Sequence, residues 1–236
     1  FSIDPSTTAG VISVYLVGSL ILLVGTLAWH GSLLLYAWVK VPRFSIRVYF
    51  TKYWINVYPL LFATSSEVIA VPLNLYLTKK YIPWIRKIPR RLVVGMGSFL
   101  NINGTIISVF VMTGLVASLT GVELSFFEML ALIPIVFLIS YAVPGIPGEL
   151  VLFAGPIILI LGLPPEIAAT FLALYVGLQL GLPDSIRTGN NSTDDVLCAV
   201  ALNQHYIENY EEQEQLDSIE IADIEKSDLK IEKWQK

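Results

Sequence analysis

The sequence predicts an all-α integral membrane protein, and three observations carry that prediction. Only 14% of the 236 residues are charged and 55% are hydrophobic, with a mean hydropathy of +0.68. Soluble domains carry roughly a quarter charged residues, so this composition fits lipid rather than water as the solvent. Between Leu92 and Ile186 there is no Lys or Arg at all, although the stretch is dense in Leu, Ile, Val and Phe. Finally, the run 11–39 is apolar except for His30 and a few small hydroxyl residues. At about 1.5 Å per residue it can cross ~30 Å of hydrocarbon with tilt.

That run is therefore the first predicted transmembrane helix. His30, beside Trp29 near its end, reads as an interfacial residue. Residues 44–81 are apolar but interrupted by Pro59 and Pro72, with Thr64-Ser65-Ser66-Glu67 between them. Two half-length arms around a polar tip predict a re-entrant hairpin, whose irregular tip is tolerated only against protein or a wet cavity. Residues 92–119 are long enough to span, and Asn101-Ile102-Asn103-Gly104-Thr105 is expected to break that helix near its middle. Residues 124–161 form two more apolar arms around Pro144-Gly145-Ile146-Pro147-Gly148-Glu149, a second re-entrant hairpin. A last single helix is expected over 165–205. Residues 1–205 thus make one membrane domain, and 206–236 an acidic extension with no assigned role.

Charge sets the expected topology. Ten of the fifteen Lys and Arg lie between Lys40 and Arg91, all but Lys52 in two loops (40–47 and 79–91) that flank the first hairpin. Basic loops stay in the cytoplasm, which also places the acidic tail there. The loops 120–123 and 162–166 carry no cation and are expected outside. The hairpins would then enter from opposite faces and meet near the midplane, the pattern of an inverted-repeat secondary transporter. Cys198 is the only cysteine, so no intrachain disulfide can form. The first residue is Phe and no signal-like segment precedes the first apolar run, so the chain is read as the carboxyl-terminal half of a longer protein.

The chemistry concentrates in the last helix, in Asp184-Ser185-Ile186-Arg187-Thr188-Gly189-Asn190-Asn191-Ser192-Thr193-Asp194-Asp195. Asp184, Arg187, Asn191 and Asp195 follow one another at three, four and four residues, so they share a helical face. A charge at the bilayer centre costs about 2.5–3.5 kcal/mol on insertion scales, so the stripe should face a partner or a cavity. Arg187 can grip a carboxylate with two hydrogen bonds, and Asp184 can take an ammonium group. Asn191 can donate to a second carboxylate, and Asp195 can hold a hard cation through oxygen. The break at 101–105 adds carboxamides and freed carbonyls of the kind hard cations use. Hairpin tips offer backbone N–H groups to an anion. An enzyme is not expected, because His30 and His205 are placed near membrane faces and no base is evident for a buried serine.

Four motifs in order resemble the excitatory amino-acid transporter and bacterial dicarboxylate symporter family. The tip TSSE resembles that family's serine-rich tip, NINGT its NMDGT, PGIPGE its GVPGAG, and DSIRTGNNSTDD its DxxRTxxNxxGD. The resemblance extends to about Gln204. It implies the transport domain of an elevator-type secondary transporter, with two re-entrant hairpins and a broken transmembrane helix, sliding past a trimeric scaffold. It further implies a small anionic solute, an acidic amino acid or a dicarboxylate, and sodium as coupling ion. Arg187 would bind the solute's side-chain carboxylate and Asp184 its amino group. Thr188, Asn191, Thr105, Ser65, Ser66, Ile146 and Gly148 would complete the solute shell. Gly97, Asn101, Asn103, Asn191 and Asp195 would supply the sodium site.

Several positions depart from the pattern. Asn103 stands where the family usually has aspartate, which weakens the sodium site using that carboxylate. Glu67 stands where another serine is expected, Glu149 adds a carboxylate to the second tip, Pro183 precedes Asp184, and Leu180 replaces a further acidic position. Glu67 and Glu149 suggest coupling driven partly by protons. A retained fold with broken coupling is the alternative reading. The expected location is a cell membrane, by default a bacterial inner membrane, with lipid and other copies of the chain as partners and no nucleic acid.

Overall fold

The computed structural model describes residues 8–100, 103–141 and 145–207, and every regular element among them is helical. Helix α1 spans Thr8–Lys40, matching the predicted first span. Leu16, Leu20, Val24 and Leu27 on it stay more than half exposed, as lipid-facing side chains do. Its inner side packs closely because it is small. A Cβ at Gly18 would lie 2.6 Å from the Leu115 side chain, and one at Gly25 3.2 Å from Ile107. Small residues of this kind let membrane helices approach where no hydrophobic force drives them together.

The helical run 46–64, α2, comprises Ile46–Val48, a π-helical stretch Tyr49–Trp54 and Ile55–Thr64. Tyr49 and Tyr53 of the π stretch are fully buried. The run ends because Ser65 turns left-handed, with φ of 46°, and Ser66 turns extended to cap the next helix. That helix, α3, spans Glu67–Tyr81. The Tyr53 hydroxyl donates to Asn74 Oδ1 at 2.7 Å, which ties the two arms together.

Helix α4 runs through Lys87–Pro89, a second π stretch Arg90–Val94 and Gly95–Leu100, and α5 spans Asn103–Thr120. Of the expected break at 101–105, Asn101 and Ile102 lie outside the described residues. Asn103, Gly104 and Thr105 are already helical, so these three are the first turn of α5 rather than part of an unwound segment. Helices α6 (Phe126–Ser140) and α7 (Val151–Ile160) flank the second polar turn. A capping box starts α6: Ser125 accepts from the Glu128 N–H while Glu128 accepts from the Ser125 N–H.

The single last helix expected over 165–205 is two helices. Helix α8 (Pro165–Gln179) and helix α9 (Leu182–Ile207) meet at a bend of 63°. Leu180 is extended and Gly181 has φ of 74°, a left-handed value that glycine adopts without penalty. Pro183, having no N–H, belongs in the first turn of a helix. Tyr15 of α1 closes the bend, its hydroxyl donating to the Leu180 carbonyl at 3.0 Å and accepting from Leu182 N at 2.8 Å. A Cβ at Gly181 would lie 2.9 Å from that hydroxyl. Gly181→Ala is therefore expected to destabilise the protein by more than about 1 kcal/mol, read as a lowered melting temperature in detergent. A melting temperature equal to the parent's would mean that the bend does not depend on this residue.

Two apolar cores result. One joins the amino-terminal half of α1 with α5, α6, α7 and α8. The other joins the end of α1 with α2, α3, α4 and the later part of α9. The first half of α9 lies between them, and every residue from Pro183 to Leu197 is buried. By length and composition, Ala9–Lys40 and Lys87–Thr120 can each cross a membrane, and the bent pair α8–α9 is a third candidate.

Candidate functional site

Four segments converge on the buried part of α9: the α2–α3 turn, the α6–α7 turn, the first turn of α5 and α4 near Gly97. The two turns touch each other. Glu67 N donates to the Gly145 carbonyl at 3.0 Å and the Ser66 hydroxyl reaches the same oxygen at 3.5 Å. Gly145 has φ of 64°, and a Cβ there would lie 2.8 Å from the Ser98 carbonyl, so the contact depends on glycine.

Arg187 is the hub. It is fully buried, with Nη1 bonded to the Glu149 carboxylate and, at 3.0 Å, to the Thr105 hydroxyl, while Nη2 bonds the Asp184 carboxylate. Both branches of its fork are thus held by carboxylates of the chain itself. The Thr105 hydroxyl also lies 3.2 Å from Glu149 Oε1 and accepts from Asn191 Nδ2 at 2.9 Å. Asn191 further donates to Glu67 Oε1 at 2.8 Å and accepts from Gly104 N at 2.6 Å. A Cβ at Gly104 would lie 2.8 Å from that Asn191 oxygen, so the small residue lets α5 and α9 approach.

The N–H groups of the second turn also meet carboxylates. Gly148 N donates to Asp184 Oδ2 at 3.0 Å and Ile146 N to Glu149 Oε2 at 3.1 Å. From the first turn, Ser65 Oγ lies 3.0 Å from Ser185 Oγ. Of the solute residues read from the sequence, Arg187, Asp184, Asn191, Thr105, Ser65, Ser66, Ile146 and Gly148 are therefore brought together in one cluster of hydrogen bonds. Thr188 is buried next to Arg187, about a hundred degrees further round α9. Glu67 and Glu149, read from the sequence as departures that suggest proton coupling and not as solute ligands, are both in this cluster.

Of the residues read as cation ligands, four are described. Gly97 is buried against Asp195, and a Cβ on Gly97 would overlap the Asp195 carboxylate. The missing side chain is thus what lets this carboxylate reach the backbone of α4. Asn191 is fully buried and Asn103 opens α5, while Asn101 lies outside the described residues. Oxygen ligands of this kind, one carboxylate with carboxamides and carbonyls, suit a hard cation rather than zinc or copper. Among the described residues, no group of three His, Cys, Asp or Glu side chains is arranged for a metal.

A second buried polar cluster was missed in part. His30, read as interfacial, faces into the protein: it is only 5% exposed, and its Nδ1 lies 2.5 Å from Asp194 Oδ1. The physical reason is that Asp194 is itself buried and needs donors, Asn190 Nδ2 meeting its other oxygen at 3.0 Å. His30 Nε2 faces the Tyr49 hydroxyl at 3.3 Å, and that hydroxyl donates to the Thr193 carbonyl at 3.2 Å. Both ring nitrogens thus face groups other than serine. Asn74 was also missed; it bridges Tyr53 to Ser192, donating to the serine oxygen at 2.5 Å. A lone carboxamide in an apolar arm was the available signal for it. Nothing local marks Asp194 and His30 as partners, since 164 residues separate them.

A buried polar stripe on a membrane helix, closed over by two polar turns, is the architecture of a membrane transporter's site. The model of the sodium:dicarboxylate symporter family matches residues 5–205, and the chain belongs to that family. It is also similar to the serine/threonine transporter SstT of Acinetobacter baylyi, 25% identical over 160 residues, which cover 63% of this chain and 39% of that protein. The chain therefore spans about two fifths of the length of this curated relative.

Proposed function

We propose that the protein is a secondary active symporter that moves a small carboxylate-bearing solute across a cell membrane coupled to sodium. This chain supplies the part that holds solute and ion. The observation that carries the reading is the convergence of two polar turns and the start of α5 on a wholly buried stretch of α9. The family membership supports the class of activity. The sequence motifs favour an acidic amino acid or a dicarboxylate, whereas the name of the relative points to serine or threonine.

In this reading 1–205 form the transport domain, α2–α3 and α6–α7 are the re-entrant hairpins, and the full-length protein is a multi-pass homotrimer with a cytoplasmic tail. Gly97, Asn101 and Asn191, through backbone oxygens, with the Asp195 carboxylate and Asn103 beside them, hold one sodium ion. Its positive charge offsets carboxylates buried with the solute.

The test is uptake of radiolabelled L-serine, L-aspartate and succinate by the full-length protein in proteoliposomes, with and without an inward sodium gradient. Sodium-driven accumulation of any one solute is the expected result. A second reading, solute binding without coupled flux, draws on Asn103, Glu67 and Glu149 replacing the family's usual residues. Sodium-dependent binding with no flux under any gradient would select it and overturn the first.

A further inference from the structure

We propose that Glu149 is a built-in substitute for a solute's side-chain carboxylate, and that the site accordingly takes an α-amino acid with an uncharged side chain. The inference rests on the solute-binding reading above and narrows its substrate class.

Glu149 is held in the way a bound acidic ligand would be. One oxygen meets Arg187 and the Thr105 hydroxyl, and the other accepts from Ile146 N at 3.1 Å. It is 3% exposed, so it is enclosed rather than laid over the rim. The second branch of the guanidinium goes to Asp184. Both Nη groups are therefore engaged by carboxylates of the chain, and only Nε–H is left without a partner among the described residues. A solute carboxylate that is to sit across Nη1 and Nη2, the end of the fork, must expel a buried, triply bonded one.

Charge points the same way. Asp184 and Glu149 share one Arg187, so the site holds a formal excess of one negative charge before any solute enters. A dicarboxylate adds two more and an acidic amino acid one more. In a buried site of low effective dielectric, each added like charge is strongly disfavoured. A zwitterion adds none, and its ammonium group meets acceptors. Glu67 Oε2 is buried and has no partner among the described residues, which leaves an acceptor oxygen for a cationic group. Glu149 is therefore a specificity residue: its carboxylate excludes side-chain carboxylates, and Arg187 is kept to neutralise it.

The test is binding to the full-length protein in detergent at saturating sodium, with L-serine, L-alanine, L-aspartate and succinate as probes, for the parent and for Glu149→Gln. The parent is expected to bind serine or alanine at least tenfold more tightly than aspartate or succinate. Glu149→Gln, nearly isosteric and freeing one edge of Arg187, is expected to reverse that preference. A parent that prefers aspartate or succinate would overturn the proposal even if the variant does not fold. An unchanged preference in a folded Glu149→Gln protein would overturn it as well. Serine binding without flux would defeat the symporter reading while supporting this one, and sodium-driven aspartate uptake would do the reverse.

Discussion

Arg187→Ala is expected to remove sodium-driven uptake and to lower the stability of the solubilised protein by about 3–5 kcal/mol, the cost of breaking a buried ion pair from one side. The magnitude follows from what is left behind. Glu149 and Asp184 would each lose a charged donor, and Thr105 would lose the Nη1 bond at 3.0 Å. Neither carboxylate can turn to water, since their side chains are 0% and 6% exposed. Arg187→Lys keeps the charge but not the fork, so it is expected to recover part of the stability while engaging only one carboxylate well. Thermal unfolding of parent and both variants checks the order. If Arg187→Ala melted with the parent, the carboxylates would have to be neutralised by something other than this guanidinium.

Gly97→Ala is expected to raise the sodium concentration for half-maximal uptake more than tenfold, with solute affinity at saturating sodium near the parent's. The added methyl would occupy the space of the Asp195 carboxylate. Overpacking of this kind costs about 1–3 kcal/mol, relieved here by moving the carboxylate away from α4. Gly95→Ala, two residues earlier, is the internal control. Its new methyl would approach only Leu75, at 4.0 Å, and should leave the sodium dependence unchanged. Sodium titrations of uptake separate the two variants. Identical curves for Gly97→Ala and the parent would remove Asp195 from the cation site.

The legible part of the fold was the part written in local pattern. Helix α1 at Thr8–Lys40 matches the predicted 11–39, and the arms Ile55–Thr64 and Glu67–Tyr81 fall on either side of the predicted Ser65-Ser66 tip. Apolar length and a short polar interruption are properties of neighbouring residues, so a sequence displays them directly. The bend at Gly181 was also written locally, as Gly-Leu-Pro, yet the apolar length of 165–205 outweighed it. Glycine and proline two residues apart were the better signal, because one frees φ and the other removes a donor.

The functional stripe divides along the same line. The spacing of Asp184, Arg187, Asn191 and Asp195 placed them on one face of a buried helix, and helical periodicity alone accomplishes that. What occupies the Arg187 fork was not readable, because Glu149 lies 38 residues away on a different pair of helices. His30 and Asp194, whose pairing the interfacial reading of His30 missed, are further apart still. By itself, then, the sequence determined that this chain is a bundle of lipid-facing helices with one polar face and two polar turns. Only the tertiary structure decided which charges neutralise which, because electrostatic pairing depends on distance in space, and folding sets that distance for residues remote in the chain.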